Sequence, residues 1–124
     1  MLPITLSIFQ PKRIHGFGVL LENLTATADR VLEATYVGVP DPIWGERPLG
    51  IIKLVPGATE REEDICKFLQ AEGVEKGKIT RWMLPDFILI TDEIPKTSVG
   101  KYDKREIKKR LRELLAKAKT VREP

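Results

Sequence analysis

A change in hydrophobic period near the end of this 124-residue chain constrains its fold most. Phe87–Ile90 is a short, continuous apolar run between polar residues, which predicts a buried strand. From Asp103 to about residue 119, apolar residues recur at helical spacing with Lys and Arg between them, which predicts an amphipathic helix. The chain must therefore pass from a strand to a helix through residues 92–101.

The connecting segment, Asp92-Glu93-Ile94-Pro95-Lys96-Thr97-Ser98-Val99-Gly100-Lys101, has the composition of a fixed bend. Pro95 fixes φ and removes a backbone donor, while Gly100 can adopt a positive φ. Lys101 follows the bend directly, where its ammonium can project as a point charge with three donors. From spacing alone, an ordinary turn with solvated lysines is the simpler interpretation. The segment is not a phosphate-binding P-loop, because the first glycine of that motif is missing and Tyr102 replaces the Ser or Thr that binds magnesium.

Composition indicates one folded domain, since 42% of the residues are hydrophobic and 31% are charged. The single cysteine, Cys66, excludes an internal disulfide framework and a Cys-based zinc site, which suits a reducing compartment. No apolar run is long enough to span a membrane, and the first residues lack the pattern of a signal peptide. We therefore expect a cytoplasmic protein with no transmembrane segment.

The net charge of +3 is unevenly distributed, because residues 101–124 contain 10 Lys or Arg against 4 Asp or Glu. Such a basic segment is either a solvated helix face or the binding surface for an anion or phosphate. No nucleic-acid partner is expected, because aromatic residues make up only 6% and do not alternate with the basic stretch.

The order of predicted elements is β-α-β-β-α-β-α, which indicates an α+β fold: a small two-layer domain with a short sheet and about three helices. A Thr59–Glu62 capping box predicts that the second helix begins at Glu60, and Gly73 is a plausible end. The elements before the last strand are a strand at 4–9, a turn at 13–18, a helix at 20–28, strands at 31–39 and 49–55 separated by a turn at 44–48, and the helix at about 60–73.

Four motifs in sequence carry a resemblance to a known family: Val37-Gly38-Val39-Pro40-Asp41, Trp44-Gly45-Glu46-Arg47-Pro48, Trp82-Met83-Leu84-Pro85-Asp86 and Ile94-Pro95-Lys96-Thr97-Ser98-Val99-Gly100-Lys101. Together they resemble the C-terminal domain of AMP-forming acyl-CoA synthetases of the adenylate-forming superfamily. The resemblance extends over about residues 21–115 and favours a ligase for a medium- or long-chain fatty acid. The Trp, Glu and Arg residues of the middle motifs are interpreted as shaping the core and turns.

The resemblance implies that Lys101 is the catalytic lysine, within a loop shaped by Pro95, Lys96, Thr97 and Gly100. In that family a large N-terminal domain binds ATP, Mg²⁺ and the carboxylic acid, and the small C-terminal domain moves as a lid. The lysine enters the site for adenylation, where a cation can stabilise charge that develops on the α-phosphate oxygens. In a second orientation another face of the lid helps to form the tunnel for CoA.

The resemblance also implies a CoA side of the domain. Lys76 and Lys78 lie where related enzymes offer basic side chains to CoA phosphates, although a solvated loop is the alternative. Gly16 or Gly18 corresponds to a glycine beside the pantetheine tunnel.

Two departures from the family pattern matter. The segment at residues 7–18 matches the family's hinge region only loosely, and the 124 residues contain no ATP-binding loop of the large domain. We therefore expect a fragment that is inactive alone, that has its own N-terminal domain as partner, and that has a fatty acid and CoA as substrates. The alternative is a free-standing, non-catalytic module of the same fold that binds a partner.

Overall fold

The computed structural model describes residues 15–121, with side chains from residue 17 onward. This range contains four α-helices and four strands. In chain order they are α1 (His15–Ala26), β1 (Val31–Asp41), β2 (Gly45–Leu54), α2 (Glu62–Leu69), β3 (Phe87–Ile90), α3 (Lys104–Lys109), α4 (Leu111–Lys117) and β4 (Lys119–Thr120). A π-helical turn at Gln70–Val74 continues α2, and a 3₁₀ turn at Arg81–Met83 precedes β3.

The strands form one mixed sheet in the order β1-β2-β3-β4. β1 and β2 are an antiparallel hairpin, β3 pairs parallel to β2, and β4 pairs antiparallel to β3. The hairpin turn is stabilised by the Asp41 carboxylate, which accepts hydrogen bonds from the backbone N–H groups of Ile43 (2.9 Å) and Trp44 (2.8 Å). Gly45, at φ +86°, begins β2 in a conformation that favours glycine. Because β1 is an outer strand in this order, one of its edges pairs with no other described strand.

Both faces of the sheet are buried, which explains why the strand sequences are largely continuous apolar runs. Helices α1 and α2 cover one face, and their buried apolar side chains, together with those of the strands, form the first of two hydrophobic clusters. Helices α3 and α4 cover the other face and form the second cluster together with Ile94. Adjacent strand residues belong to different clusters: Tyr36, Ile52 and Ile88 to the first, and Val37, Ile51 and Leu89 to the second.

The structure confirms the α+β class and the small sheet, and it places helices on both faces rather than in a single second layer. The strand at Phe87–Ile90 has the predicted bounds, and the strands predicted at 31–39 and 49–55 are present in slightly longer form. The strand predicted at 4–9 lies outside the described residues.

Two predicted turns are wrong. Residues 45–48 belong to β2, because the turn between β1 and β2 lies earlier in the chain, at residues 42–44. Residues 15–18 belong to the first turns of α1, where Phe17 is buried in the first cluster. The glycines that suggested a turn are tolerated there because the buried aromatic side chain holds the helix against the sheet.

The helix boundaries also differ from the prediction. The second helix begins at Glu62, because Asp64 rather than Glu62 accepts from a preceding backbone N–H, that of Arg61, at 2.8 Å. The C-terminal helix is divided at Arg110, whose φ of −98° and ψ of 14° are not helical. The two-residue strand β4 was not predicted, since its residues are polar and exposed.

Candidate functional site

Residues 95–103 form a small hairpin, called here the Lys101 hairpin. Its two stems are joined by hydrogen bonds from the Asp103 N–H to the Pro95 oxygen and from the Thr97 N–H to the Lys101 oxygen, both 2.8 Å. A turn closes the tip, where the Gly100 N–H donates to the Thr97 oxygen at 3.0 Å. Gly100 has φ +87°, so the bend uses the backbone freedom that the sequence predicts at this position. The loop residues inferred from the sequence are therefore brought together.

Lys101 lies directly after the tip and is exposed. Within residues 17–121 its ammonium makes no hydrogen bond or ion pair. Lys96, on the opposite stem, differs because its ammonium forms an ion pair with Glu33 of β1. Of these two lysines, only Lys101 offers an uncommitted positive charge.

The Lys101 hairpin packs along the free edge of β1. Tyr102, which pairs with Lys96 across the hairpin, accepts a hydrogen bond from the Ala34 N–H at 3.2 Å. The ion pair between Lys96 and Glu33 is a second contact with the same strand. The Ala34 N–H, which no other described strand pairs, is thus bound by a side chain, and the two contacts protect this edge from pairing with another chain.

Glu22 of α1 continues this edge contact. Its carboxylate accepts from the Thr35 hydroxyl (2.8 Å) and from the Tyr36 N–H (3.1 Å), and it lies 3.0 Å from the Lys104 ammonium. Because Lys104 begins α3, one carboxylate connects the first helix, the edge strand and the helix that follows the hairpin.

The predicted CoA-side lysines lie elsewhere, between α2 and β3. Lys76 forms an ion pair with Glu72 at 2.7 Å, and the hydrogen bond from Lys76 holds the pKa of Glu72 below its ordinary value. Lys78 is exposed and its side chain makes no hydrogen bond or ion pair among the described residues, although its charge also helps to lower the pKa of Glu72. The neighbouring Ile79 packs in the first cluster, so this basic segment lies on the face of the sheet away from the Lys101 hairpin.

Gly16 and Gly18 lie in the first turns of α1, and Gly18 is buried. Helix α1 also packs in the first cluster. The structure therefore places the two predicted glycines and the two predicted lysines on elements of one face, and Lys101 on the other.

An aromatic group that the sequence did not predict connects the hairpin tip of β1 and β2 to α1. The Trp82 ring lies 5.2 Å from the Phe17 ring and 6.0 Å from the Trp44 ring, both edge-on. The Arg47 guanidinium lies 5.3 Å from the Trp82 ring. Trp44 and Ile43 remain exposed, at 38% and 79%. The sequence indicates that the motifs at 44–48 and 82–86 shape the core and turns, and nothing in their spacing shows that they meet.

No three His, Cys, Asp or Glu side chains between residues 17 and 121 are grouped so that they could hold a metal ion. In the same part of the chain, no helix is long and apolar enough to cross a membrane.

A model of the family described as AMP-binding enzyme C-terminal domain matches residues 20–101, more than half of the chain. The chain belongs to this family. The match ends at Lys101 and covers β1, β2, α2, β3 and the tip of the Lys101 hairpin.

Curated relatives of this AMP-binding C-terminal domain are acyl-CoA ligases. The chain is 32% identical over 97 residues to a 3-methylmercaptopropionyl-CoA ligase of Ruegeria pomeroyi, which covers 78% of this chain and 17% of the relative. It is 38% identical over 89 residues to a long-chain-fatty-acid–CoA ligase of Thermus thermophilus, with 71% and 15% covered. The chain therefore spans less than a fifth of the length of these relatives.

The fold is also found in solved structures. Apo MatB from Rhodopseudomonas palustris superposes with a TM-score of 0.68 over 80% of this chain and 19% of that protein, at 20% identity. At this identity the likeness concerns the fold alone.

Proposed function

We propose that this chain is the C-terminal lid domain of an acyl-CoA synthetase. The complete enzyme would activate a carboxylic acid with ATP to an acyl adenylate and transfer the acyl group to CoA. The observation that carries this proposal is Lys101: an exposed ammonium without a partner among the described residues, presented by a bonded hairpin at the end of the family match. A large N-terminal domain would supply the sites for ATP, Mg²⁺ and the acid.

In the adenylation step, Lys101 would act through its charge. Attack of the carboxylate on the α-phosphate displaces pyrophosphate, and negative charge develops on the phosphate oxygens. An ammonium held beside these oxygens stabilises the transition state more than the ground state. Closure of the lid would remove water from around Lys101 and so strengthen this interaction. The lysine forms no covalent bond in this step.

The acid is proposed to be a medium- or long-chain fatty acid. The support is the 38% identity to the long-chain-fatty-acid–CoA ligase of Thermus thermophilus. We place the enzyme in the cytoplasm, because a single buried thiol, Cys66, suits a reducing compartment.

The opposite face of the sheet is proposed to serve CoA. Lys78 is the more available of the two predicted phosphate contacts, because Lys76 already pairs with Glu72. Gly16 and Gly18, on α1, would lie beside the pantetheine arm. The support is that α1 and the segment before β3 share the first cluster.

The proposal is tested by exchange of pyrophosphate into ATP. The 124-residue chain alone is expected to give no acid-dependent exchange, whereas the intact enzyme that contains this domain is active. In the intact enzyme, Lys101→Ala should slow adenylation about a hundredfold to a thousandfold, the usual cost of removing one preorganised electrostatic contact.

Lys96→Ala is the matched control, because it removes a lysine from the other stem of the same hairpin. It should slow adenylation much less than Lys101→Ala. Equal, small effects of the two substitutions would show that the hairpin is merely structural, and acid-dependent exchange by the chain alone would contradict the assignment as a lid domain.

A further inference from the structure

The Lys101 ammonium makes no hydrogen bond or ion pair within residues 17–121 that would fix its position, so its placement must come mainly from the backbone on either side. On the tip side, residues 97–100 form an exposed turn, and Val99 is 78% exposed. On the other side, the next residue is Tyr102, which is half-buried and packs against the second cluster. The Lys101 oxygen is also bound by the Thr97 N–H within the hairpin, but the contact that joins this point of the chain to the sheet is on the side of Tyr102.

Tyr102 connects this point of the hairpin to the sheet. Its hydroxyl accepts the hydrogen bond from the Ala34 N–H at 3.2 Å, across 68 positions of sequence. Ala34 is buried in the first cluster and pairs with Ile52 of β2, so it is a fixed point. The other contact of the hairpin with β1, between Lys96 and Glu33, joins two longer and partly exposed side chains. Ion pairs of that kind restrict position less than a rigid aromatic side chain does.

We propose that Tyr102 is a positioning residue for the adenylation step: its hydroxyl, bound to the edge of β1, sets the place from which Lys101 reaches the α-phosphate. This inference rests on the proposed role of Lys101. The physical reason is that electrostatic stabilisation requires the ammonium at a defined distance from the developing charge, and a displacement of about 1 Å is enough to lose much of the rate. Tyr102 itself touches no reacting atom.

The test uses Tyr102→Phe in the intact enzyme, which keeps the ring in the second cluster and removes only the hydroxyl. Single-turnover formation of the acyl adenylate should become about fivefold slower, in line with the loss of one neutral hydrogen bond. Thioester formation from supplied acyl adenylate should not change, because another face of the lid is at the site in the proposed second orientation. The KM for ATP should not change either, because the Tyr102 hydroxyl is bound to β1 rather than to substrate. Since Ala34 is buried, a small loss of thermal stability is also expected, so stability alone does not decide the matter.

Tyr36→Phe is the matched control. It also removes a tyrosine hydroxyl that is hydrogen-bonded, to the Thr25 hydroxyl at 2.8 Å, but in the first cluster rather than at the hairpin. It should lower stability and leave the rate of adenylation unchanged.

A double-mutant cycle separates positioning from general stability. If Tyr102 acts through Lys101, then Tyr102→Phe should cause no further slowing in an enzyme that already carries Lys101→Ala. An equal fivefold slowing in both backgrounds, an equal loss in both half-reactions, or no slowing at all would overturn the inference while the role of Lys101 stands. If Lys101→Ala itself leaves adenylation unchanged, the proposed function fails, and this inference fails with it.

Discussion

The buried side chain of Tyr36 restricts which residues can pack around it. Its ring lies against Gly50 on the paired strand, where an added methyl group would come within 2.6 Å of the ring. Its hydroxyl is bound to Thr25, which also donates to the Leu21 oxygen at 2.7 Å. Burial raises the pKa of the Tyr36 hydroxyl well above its ordinary value, because the charged form would lose its water.

The raised pKa of Tyr36 gives a pH prediction. In the unfolded chain the hydroxyl ionises near its ordinary pKa of about 10, whereas the folded state keeps the proton to higher pH. The stability that depends on neutral Tyr36 is therefore complete below about pH 10 and falls as the pH rises above it. In urea titrations of the 124-residue chain between about pH 8 and pH 11, the free energy of unfolding should fall more steeply for the natural chain than for Tyr36→Phe. Parallel pH profiles would contradict this.

At the residue scale, the sequence predicts what depends on neighbours along the chain. Pro95 and Gly100 define the bend, and Lys101 is exposed after it as predicted. The hydrogen bond between Ala34 and Tyr102 could not be predicted, because it depends on how α3 and the hairpin pack on the sheet. The ion pair between Lys76 and Glu72 was missed for a different reason, since Gly73 suggested a helix end where the structure has a π-helical turn.

Among the elements, α3 is the clearest case of a segment that local signals and packing stabilise together. A helix of 6 residues is too short to be stable alone, so burial of Ile107 in the second cluster must hold it. Its first turn is capped by the Asp103 carboxylate, which accepts from the Glu106 N–H at 3.1 Å. The same residue closes the Lys101 hairpin through its own N–H.

Loss of this cap should destabilise the domain. Asp103→Ala is expected to lower the free energy of unfolding by about 1 kcal/mol in urea titrations, whereas Asp103→Asn, which keeps an acceptor oxygen, should cost less. Asp92→Ala serves as the control, because Asp92 is exposed and makes no hydrogen bond within residues 17–121. Equal stability of Asp103→Ala and Asp92→Ala would show that the cap contributes nothing.

The elements that the sequence predicts best are those buried on both sides. Phe87–Ile90 is recognised residue for residue, because burial on two faces requires a continuous apolar run. The division of the last helix at Arg110 carries no glycine or proline and was not predicted. Apolar spacing continues across it, since both Ile107 and Leu114 pack in the second cluster.

For the whole molecule, the main consequence of the fold is the separation of two surfaces. The Lys101 hairpin is held by the second cluster, through Ile94 and Tyr102, and by the edge of β1. The segment with Lys76 and Lys78 is held by the first cluster, through Ile79. Membership of the two clusters places these segments on opposite faces of the sheet. In the proposed enzyme, a rotation of this domain would exchange one surface for the other at a single site.

This separation predicts that substitutions on the two surfaces affect different half-reactions. In the intact enzyme, Lys101→Ala should slow adenylation and spare thioester formation from supplied acyl adenylate. Lys76→Ala combined with Lys78→Ala should leave adenylation unchanged and raise the KM for CoA about fivefold at low salt, because exposed charge pairs are weak and screened by salt. The rise should be smaller with CoA that lacks its 3′-phosphate.

The control is Lys109→Ala combined with Lys117→Ala, which removes the same charge from α3 and α4. If the control raises the KM for CoA equally, only net charge matters, and if the first pair leaves it unchanged, CoA does not bind at this surface.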